Sequence, residues 1–162
     1  MDATTTRAEG IARDLQRYLA PGQVAELRAL GVPGRRAICR FFTDPKAMAT
    51  AALDYEARGA AGVYFTPNPL DASLLELSGD SKGATKADVI SRRWLLIDVD
   101  AVRPVGQSAT DGEKAAARDV ARRVLEQLSA AEIGGEILSD SGNGWHIAVP
   151  VDMPNDDEDP PF

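Results

Sequence analysis

The clearest strand in this sequence is Arg93-Trp94-Leu95-Leu96-Ile97-Asp98-Val99, and Asp100 follows it directly. Its apolar residues are consecutive rather than alternating, which is typical of a strand that is buried on both faces. We therefore predict a central strand over residues 93–99 that ends in a pair of aspartates. The elements predicted on either side of this strand lead to the fold class.

The sequence after the strand predicts one long helix and a β-hairpin. A connection over 101–109 reaches Thr110-Asp111-Gly112-Glu113, a capping box that opens a helix to about Ala130. The residues predicted to share the buried face of this helix are Ala116, Val120, Val124 and Leu128. Two strands over 136–140 and 145–151 follow, and the glycine-rich residues 141–144 between them are typical of a hairpin turn.

The sequence before the strand mixes helix and strand signals. Thr6-Arg7-Ala8-Glu9 is another capping box, and Asp44-Pro45 is an N-cap followed by proline at the first helical position. The predicted elements are a helix over 7–19, a hairpin of strands 24–30 and 36–42, a helix from 45 to about 56, a strand over 62–66, a short helix over 70–77 and a mobile loop over 78–86.

These elements together predict an α+β fold with a mixed β-sheet and flanking helices. The chain has 162 residues, of which 44% are hydrophobic, and this is the size of one domain with a substantial core. We assign residues 1–154 to that domain. We expect residues 155–162, which are acidic and rich in proline, to form a disordered tail.

Composition excludes several classes of protein. The single cysteine, Cys39, rules out an internal disulfide and any cysteine-rich zinc site. The longest uncharged apolar run, 94–97, is too short to span a membrane, and residues 1–7 lack the hydrophobic region of a secretory signal. We expect a cytoplasmic protein with no membrane partner.

The net charge of −7 is distributed unevenly. Five acids lie between residues 152 and 159, and the rest of the chain carries a charge of only −2. A local basic cluster consists of Lys82, Lys86, Arg92 and Arg93. The charge therefore neither supports nor excludes a polyanionic partner.

Asp98 and Asp100 are the first candidate for chemistry. Side chains at i and i+2 of a strand share a face, so the two carboxylates point the same way. Like charges at the end of a buried strand are costly without a cation, and hard oxygen ligands suit Mg²⁺ or Mn²⁺. The alternative is that the strand simply ends here and both aspartates are solvated.

The second candidate is Ser139-Asp140-Ser141-Gly142-Asn143-Gly144-Trp145-His146. Glycines let the backbone approach a ligand closely, and the turn's N–H groups with the Ser141 and Asn143 side chains are able to hold phosphate oxygens. His146, the only histidine, is placed to contact the same phosphates. The alternative is a tight hairpin with a partly buried histidine.

Three stretches of this sequence together resemble the archaeo-eukaryotic-type primase–polymerase (prim-pol) domain found in replication proteins of phages and plasmids. They are Arg92-Arg93-Trp94-Leu95-Leu96-Ile97-Asp98-Val99-Asp100-Ala101-Val102-Arg103-Pro104, Ser141-Gly142-Asn143-Gly144-Trp145-His146 and Pro154-Asn155-Asp156. The stretch Gly62-Val63-Tyr64-Phe65-Thr66-Pro67-Asn68-Pro69 is similar to an early strand of that family. The resemblance covers residues 12 to 156.

The resemblance implies DNA-templated nucleotidyl transfer by a two-metal mechanism. Asp98 and Asp100 resemble the first catalytic motif, which binds Mg²⁺ or Mn²⁺. His146 and the turn Ser141-Gly142-Asn143-Gly144 resemble the second motif, which contacts the phosphates of the incoming nucleotide. Asn68, Arg92 and Arg93 are weaker candidates for contacts to nucleotide or template.

The partners that the resemblance implies are nucleoside triphosphates, a single-stranded DNA template and a helicase domain or protein. Members of the family carry a third acidic motif well beyond the second, and this sequence ends at Phe162 before reaching it. The expected catalytic core is therefore incomplete at the C-terminus. The alternatives are an inactive module that binds nucleotide or DNA, and a different metal enzyme that uses the aspartate pair, such as a nucleotide-sugar transferase or a nuclease.

Overall fold

The computed structural model describes residues 3–77 and 82–155, which form a mixed α+β fold with two small antiparallel sheets and three α-helices in the described part of the chain. The elements are α1 (Ala3–Tyr18), β1 (Ala25–Leu30), β2 (Ala37–Phe42), α2 (Pro45–Ala57), β3 (Gly62–Phe65), β4 (Ser91–Asp100), α3 (Asp111–Ala130), β5 (Ile137–Asp140) and β6 (Gly144–Pro154), with short 3₁₀ turns at Ala72–Glu76 and Lys86–Asp88. The predicted α+β class is confirmed. Two three-stranded sheets replace the single mixed sheet that we expected.

The chain divides into two units, residues 1–92 with 153–162 and residues 93–152. In the first unit, β1 lies between β2 and β3 and pairs antiparallel with both. The predicted hairpin of the first two strands is therefore confirmed. Alternate residues of β1, among them Leu27 and Ala29, pack against the two helices in a core that includes Ile38 and Met48. The opposite face carries Glu26 and Arg28 beside Phe41, which packs against a separate apolar cluster.

The second helix begins as its sequence predicts. Asp44 accepts hydrogen bonds from the N–H groups of Lys46 and Ala47, and Pro45 occupies the first turn, where its missing N–H costs nothing. The first helix differs from the prediction, since it is already helical at Ala3. Thr6 therefore lies inside the helix, and the capping box predicted there is wrong because no helix breaker precedes it.

In the second unit, β6 lies between β4 and β5, and α3 packs against the sheet. Thr110 and Glu113 form the predicted capping box. The predicted buried face of α3 is wrong in part, because Ala116 and Val120 are exposed and the core instead receives Ala117 and Ala121. Repeated steps of four residues drift around a helix with 3.6 residues per turn, so a stripe read only at i+4 leaves the buried face.

The strand predicted to be central is an edge strand. β4 pairs only with β6 in the second sheet, and Leu95 and Leu96 are 56% and 50% exposed. The consecutive apolar residues were read as a sign of burial on both faces, but only the face with Ile97 and Val99 reaches the core beside α3. Sequence hydrophobicity alone did not separate a central strand from an apolar edge strand.

The remaining predictions fall partly outside the described residues. The short helix predicted over 70–77 is a 3₁₀ turn, and residues 78–81 of the predicted mobile loop lie outside the described part of the chain. The same holds for residues 156–162 of the predicted tail. Its first residue, Asn155, donates hydrogen bonds to the carbonyl oxygens of Lys86 and Val89 and accepts one from Arg92. No helix in the described ranges has the length and hydrophobicity needed to cross a membrane.

Candidate metal and nucleotide site

Asp98 and Asp100 lie on one face of β4, opposite the face with Ile97 and Val99 that packs into the core. Their side chains are 55% and 67% exposed. The two carboxylates share one face, as the sequence predicts, and their exposure matches the alternative in which both aspartates are solvated. Exposed carboxylate oxygens at this spacing have the chemistry that Mg²⁺ or Mn²⁺ prefers.

His146 lies on the neighbouring strand β6, beside Asp98. Its Nε2 atom is 3.4 Å from Oδ1 of Asp98, and its side chain is about two-thirds buried. The structure thus brings the predicted histidine and the first predicted aspartate together across two paired strands.

Gly144 allows β6 to approach β4 this closely. A Cβ atom at residue 144 would collide with the carbonyl oxygen of Val99 and lie 3.1 Å from the Cα atom of Asp100. Real side chains essentially never tolerate such a contact with backbone atoms, so only glycine fits here. The register that sets His146 beside Asp98 follows from this contact two residues earlier.

Polar groups of the turn at 141–144 form hydrogen bonds within the fold. The Ser141 N–H donates to the Gly144 carbonyl at 3.0 Å, and the Gly142 N–H donates to Oδ1 of Asp140 at 2.7 Å. Oδ1 of Asn143 accepts a hydrogen bond from the Ala109 N–H at 3.0 Å. These bonds stabilise the turn and connect it to Ala109, just before α3. The phosphate contacts predicted for Ser141, Gly142, Asn143 and Gly144 stay a prediction.

The hairpin is also tied to the start of α3. Nζ of Lys114 lies 2.8 Å from Oδ2 of Asp140, and Nε1 of Trp145 donates to the Lys114 carbonyl at 3.1 Å. The hydrogen bond from Lys114 holds the pKa of Asp140 below its usual value. The Arg118 guanidinium lies 5.1 Å from the centre of the Trp145 ring. These contacts orient the strand that carries His146.

Arg103 belongs to this site although sequence reasoning gave it no role. Its Nη2 atom is 3.9 Å from Oδ1 of Asp100, and its Nη1 donates to the Gln107 carbonyl at 3.1 Å. Among the described residues, its Nε is the buried side-chain nitrogen or oxygen that finds no hydrogen-bond partner. The available signal was a cation three residues after the second aspartate, which is close enough to turn back onto it.

The weaker predicted residues lie outside this cluster. Asn68 belongs to the first unit, in the segment after β3. Arg92 belongs to the same unit, and its Nε donates to Oδ1 of Asn155 at 3.3 Å. Arg93 lies on β4, but strand alternation places it on the face opposite Asp98. The nucleotide or template contacts proposed for these residues are untested.

Within residues 3–77 and 82–155, no three or more histidine, cysteine or acidic side chains converge as metal ligands would. Comparison of the chain with protein-family models, with curated proteins and with solved structures found no match. The case for a function therefore rests on the geometry of Asp98, Asp100 and His146 and on the sequence resemblance described above.

Proposed function

We propose that Asp98, Asp100 and His146 form the metal- and nucleotide-binding part of a primase–polymerase site that joins nucleotides on a DNA template. The observation that carries this proposal is the 3.4 Å contact between His146 and Asp98 across paired strands, with Asp100 on the same exposed face. It is the one place in the second unit where the predicted carboxylates and the predicted phosphate contact meet.

The two carboxylates are the groups that would hold Mg²⁺ or Mn²⁺. When bound, such ions favour deprotonation of an attacking hydroxyl and neutralise charge on the transferred phosphoryl group. The His146 imidazole lies 3.4 Å from the Asp98 carboxylate, so a ligand held by one of these groups would lie close to the other. Exposed aspartates that repel each other gain from a cation between them, which supports a binding role for this face.

Arg103 gives the same face a positive charge for the triphosphate. An arginine guanidinium pairs with phosphate oxygens through two parallel hydrogen bonds. In the free protein the Arg103 guanidinium lies near Asp100.

A second candidate function is nucleotide or DNA binding without transfer. The observation in its favour is the pair of Arg103 and Asp100. Nη2 of Arg103 lies 3.9 Å from Oδ1 of Asp100, and its positive charge weakens the attraction of that carboxylate for a cation. In this case the chain recognises a nucleotide for regulation or for assembly of a replication complex. Synthesis of DNA or RNA on a template separates the two candidates.

The first test is titration of a fluorescently labelled nucleoside triphosphate into the chain with and without Mn²⁺. We expect Asp98→Asn/Asp100→Asn to weaken Mn²⁺-dependent binding by about a hundredfold or more, because ligand loss exceeds the 10- to 100-fold effect of outer partners. The matched control is Asp54→Asn/Asp119→Asn, which removes two exposed aspartates that also lie near arginines. Equal affinity of the two double variants would overturn the proposal.

His146→Ala tests the phosphate contact separately. We expect it to weaken binding of the triphosphate far more than binding of the nucleoside, because only the triphosphate has phosphate oxygens that the imidazole can contact. Equal losses for both ligands contradict a phosphate role and leave His146 as a residue that only positions Asp98. A template-directed extension assay with nucleoside or deoxynucleoside triphosphates then distinguishes transfer from binding alone.

A further inference from the structure

The outer edge of β4 is an apolar strand edge with no further strand beside it among the described residues. β4 pairs with β6 on one side and is the last strand of its sheet. Leu95 and Leu96 are each half exposed or more, although their side chains alternate to opposite faces of the strand. Both faces are therefore open to solvent at the middle of β4.

This edge lacks the features that usually keep edge strands from pairing with other chains. Natural sheet edges are protected by a charged side chain, a proline, a bulge or a very short strand. β4 is ten residues long, and its residues 94–97, Trp-Leu-Leu-Ile, contain neither a charge nor a proline. Consecutive apolar residues are typical of a strand that is covered on both faces. A central-strand sequence at the edge of a sheet indicates that another strand adds to it.

The charges at the two ends of β4 indicate which strand fits. Arg92 and Arg93 lie near its start, and Asp98 and Asp100 lie at its end. If β4 of a second copy runs antiparallel to the first, the basic start of each copy lies beside the acidic end of the other. A parallel arrangement would instead set like charges side by side, which destabilises a strand pair. The strand is therefore complementary to itself in the antiparallel direction.

A two-fold axis perpendicular to the sheet fixes the register. Such an axis keeps each face of the sheet on the same side in both copies, so residues that lie opposite each other differ by an even number of positions. With the axis at Leu96, this residue meets its own counterpart, and Arg92 of each copy lies opposite Asp100 of the other. Leu95 then lies opposite Ile97. Directly opposite side chains of antiparallel strands are close enough for apolar contacts and ion pairs.

The contacts that Arg92 and Asp100 make within the chain are compatible with this pairing. Asp100 is 67% exposed, and its contact with Nη2 of Arg103 is 3.9 Å long. Nε of Arg92 donates to Oδ1 of Asn155, which uses one of the five N–H groups of the guanidinium. Exposed ion pairs contribute little stability, so the role of these charges is to select the antiparallel register.

We propose that the outer edge of β4 pairs antiparallel with β4 of a second copy of this chain, which joins the two second-unit sheets into one across a two-fold axis at Leu96. Main-chain hydrogen bonds along the edge and apolar contacts on both faces would hold the dimer together. The proposal concerns an interaction surface and does not rest on the function proposed for Asp98, Asp100 and His146.

The first test is sedimentation equilibrium in chelator-treated buffer at concentrations up to about 1 mM, a range that includes weak, strand-sized interfaces. We expect a reversible monomer–dimer equilibrium. Leu96→Lys should weaken it by about tenfold or more, because it places two like charges on the two-fold axis. The matched control is Leu75→Lys, since Leu75 is a leucine of similar exposure in the first unit. A monomer throughout this range, or equal losses in both variants, overturns the proposal.

Charge reversal tests the register. Arg92→Glu sets two pairs of acids across a dimer of this variant, and Asp100→Arg sets two pairs of bases across its own dimer. Each variant alone should therefore associate about three- to tenfold more weakly than wild type. In a mixture of the two variants, both pairs of the mixed dimer are again of opposite charge. We expect the mixture to regain dimers, and a mixture that associates no better than either variant contradicts the assigned register.

Amide hydrogen exchange identifies the surface that the second copy covers. Among the amides of residues 95–99, those that do not pair with β6 should exchange severalfold more slowly in the dimer, because they gain carbonyl partners from the second copy. The amides of β5, at the other end of the sheet, are the internal control and should exchange equally in monomer and dimer. A dimer in which exchange at 95–99 is unchanged means that the copies meet elsewhere, which overturns the proposal.

Discussion

In the first sheet Glu26 is 1% exposed and both of its oxygens accept hydrogen bonds, whereas in the second sheet Asp98 keeps 55% of its side chain in solvent. Both are carboxylates on strands of three-stranded antiparallel sheets. Glu26 pairs with Arg28, whereas the nearest charged or titratable partner given for Asp98 among the described residues is His146 at 3.4 Å. The comparison teaches that burial links a charge to folding, while exposure leaves a charge available to a ligand.

The largest effect that follows from this comparison concerns the partner of Glu26. Arg28→Ala leaves a buried carboxylate without its cation, and we expect it to lower the free energy of unfolding by about 2 to 3 kcal/mol, at or just below the range for a fully buried pair because Arg28 is itself partly exposed. The double variant Glu26→Gln/Arg28→Ala is expected to recover part of the loss. Denaturant unfolding measures all three proteins.

The exposed counterpart in the second sheet is Asp98→Asn. We expect it to change the free energy of unfolding by less than about 0.5 kcal/mol, as is usual for exposed positions. A loss as large as that of Arg28→Ala would show that Asp98 is a structural residue, and the site proposed there would fail with it. If Arg28→Ala is as stable as wild type, the buried carboxylate Glu26 does not need its cation, and the contrast between Glu26 and Asp98 is contradicted.

The next prediction concerns the close contact between the backbones of β6 and β4 at Gly144. Gly144→Ala places a methyl group against the Val99 carbonyl, and we expect a loss of about 1 to 3 kcal/mol, as for other overpacked sites. Gly134→Ala is the matched control, because a Cβ atom there meets nothing within 4 Å. Thermal unfolding followed by tryptophan fluorescence is suited to this test, since Trp94 and Trp145 both lie in the second unit.

An unchanged stability of Gly144→Ala would mean that β6 is able to move away from β4. In that event His146 would lose its place beside Asp98. The amide and imidazole resonances of His146 would then report the shift. The contact that carries the proposed function thus depends on one glycine, which makes this variant a structural test of the site as well.

Local signals predicted much of this fold from the sequence. The Asp44-Pro45 N-cap, the Thr110–Glu113 capping box and the hairpin at 141–144 each depend on residues within a few positions of one another. The pairing of Asp98 with Asp100 on one face follows from strand alternation in the same way. Local chemistry of this kind is visible in the order of the residues.

The features that escaped prediction depend on distant parts of the chain. Hydrophobicity alone does not tell whether a partner strand lies on both sides of residues 91–100, so the edge position of β4 was missed. Glu26 and Arg28 carry a detectable signal, opposite charges at i and i+2 of an apolar strand. The burial of Glu26 depends on Ala84, and Gly83 lies against Arg28; both approach the pair from more than fifty residues away.

Asp140 is a carboxylate whose exposure lies between that of Glu26 and that of Asp98. Asp140 is about half exposed, and its hydrogen bond from Lys114 lowers its pKa in the folded state. A carboxyl group with a depressed folded pKa stabilises the protein above its unfolded pKa of about 3.9, and this contribution is lost as pH falls through the lower folded value. We expect Asp140→Asn to cost less than about 1 kcal/mol at pH 7, as for other half-exposed pairs.

The pH dependence makes this small effect measurable. The unfolding free energies of wild type and Asp140→Asn should differ at pH 7, and the difference should shrink as pH falls below about 4 and through the lowered pKa of folded Asp140. Asparagine keeps the acceptor for the Gly142 N–H, so the variant isolates the ion pair with Lys114. In a Lys114→Met background the pH-dependent difference should shrink. If the difference in unfolding free energy stays constant with pH, or persists without Lys114, then Asp140 stabilises the turn through its hydrogen bond with the Gly142 N–H and its charge has no effect on folding.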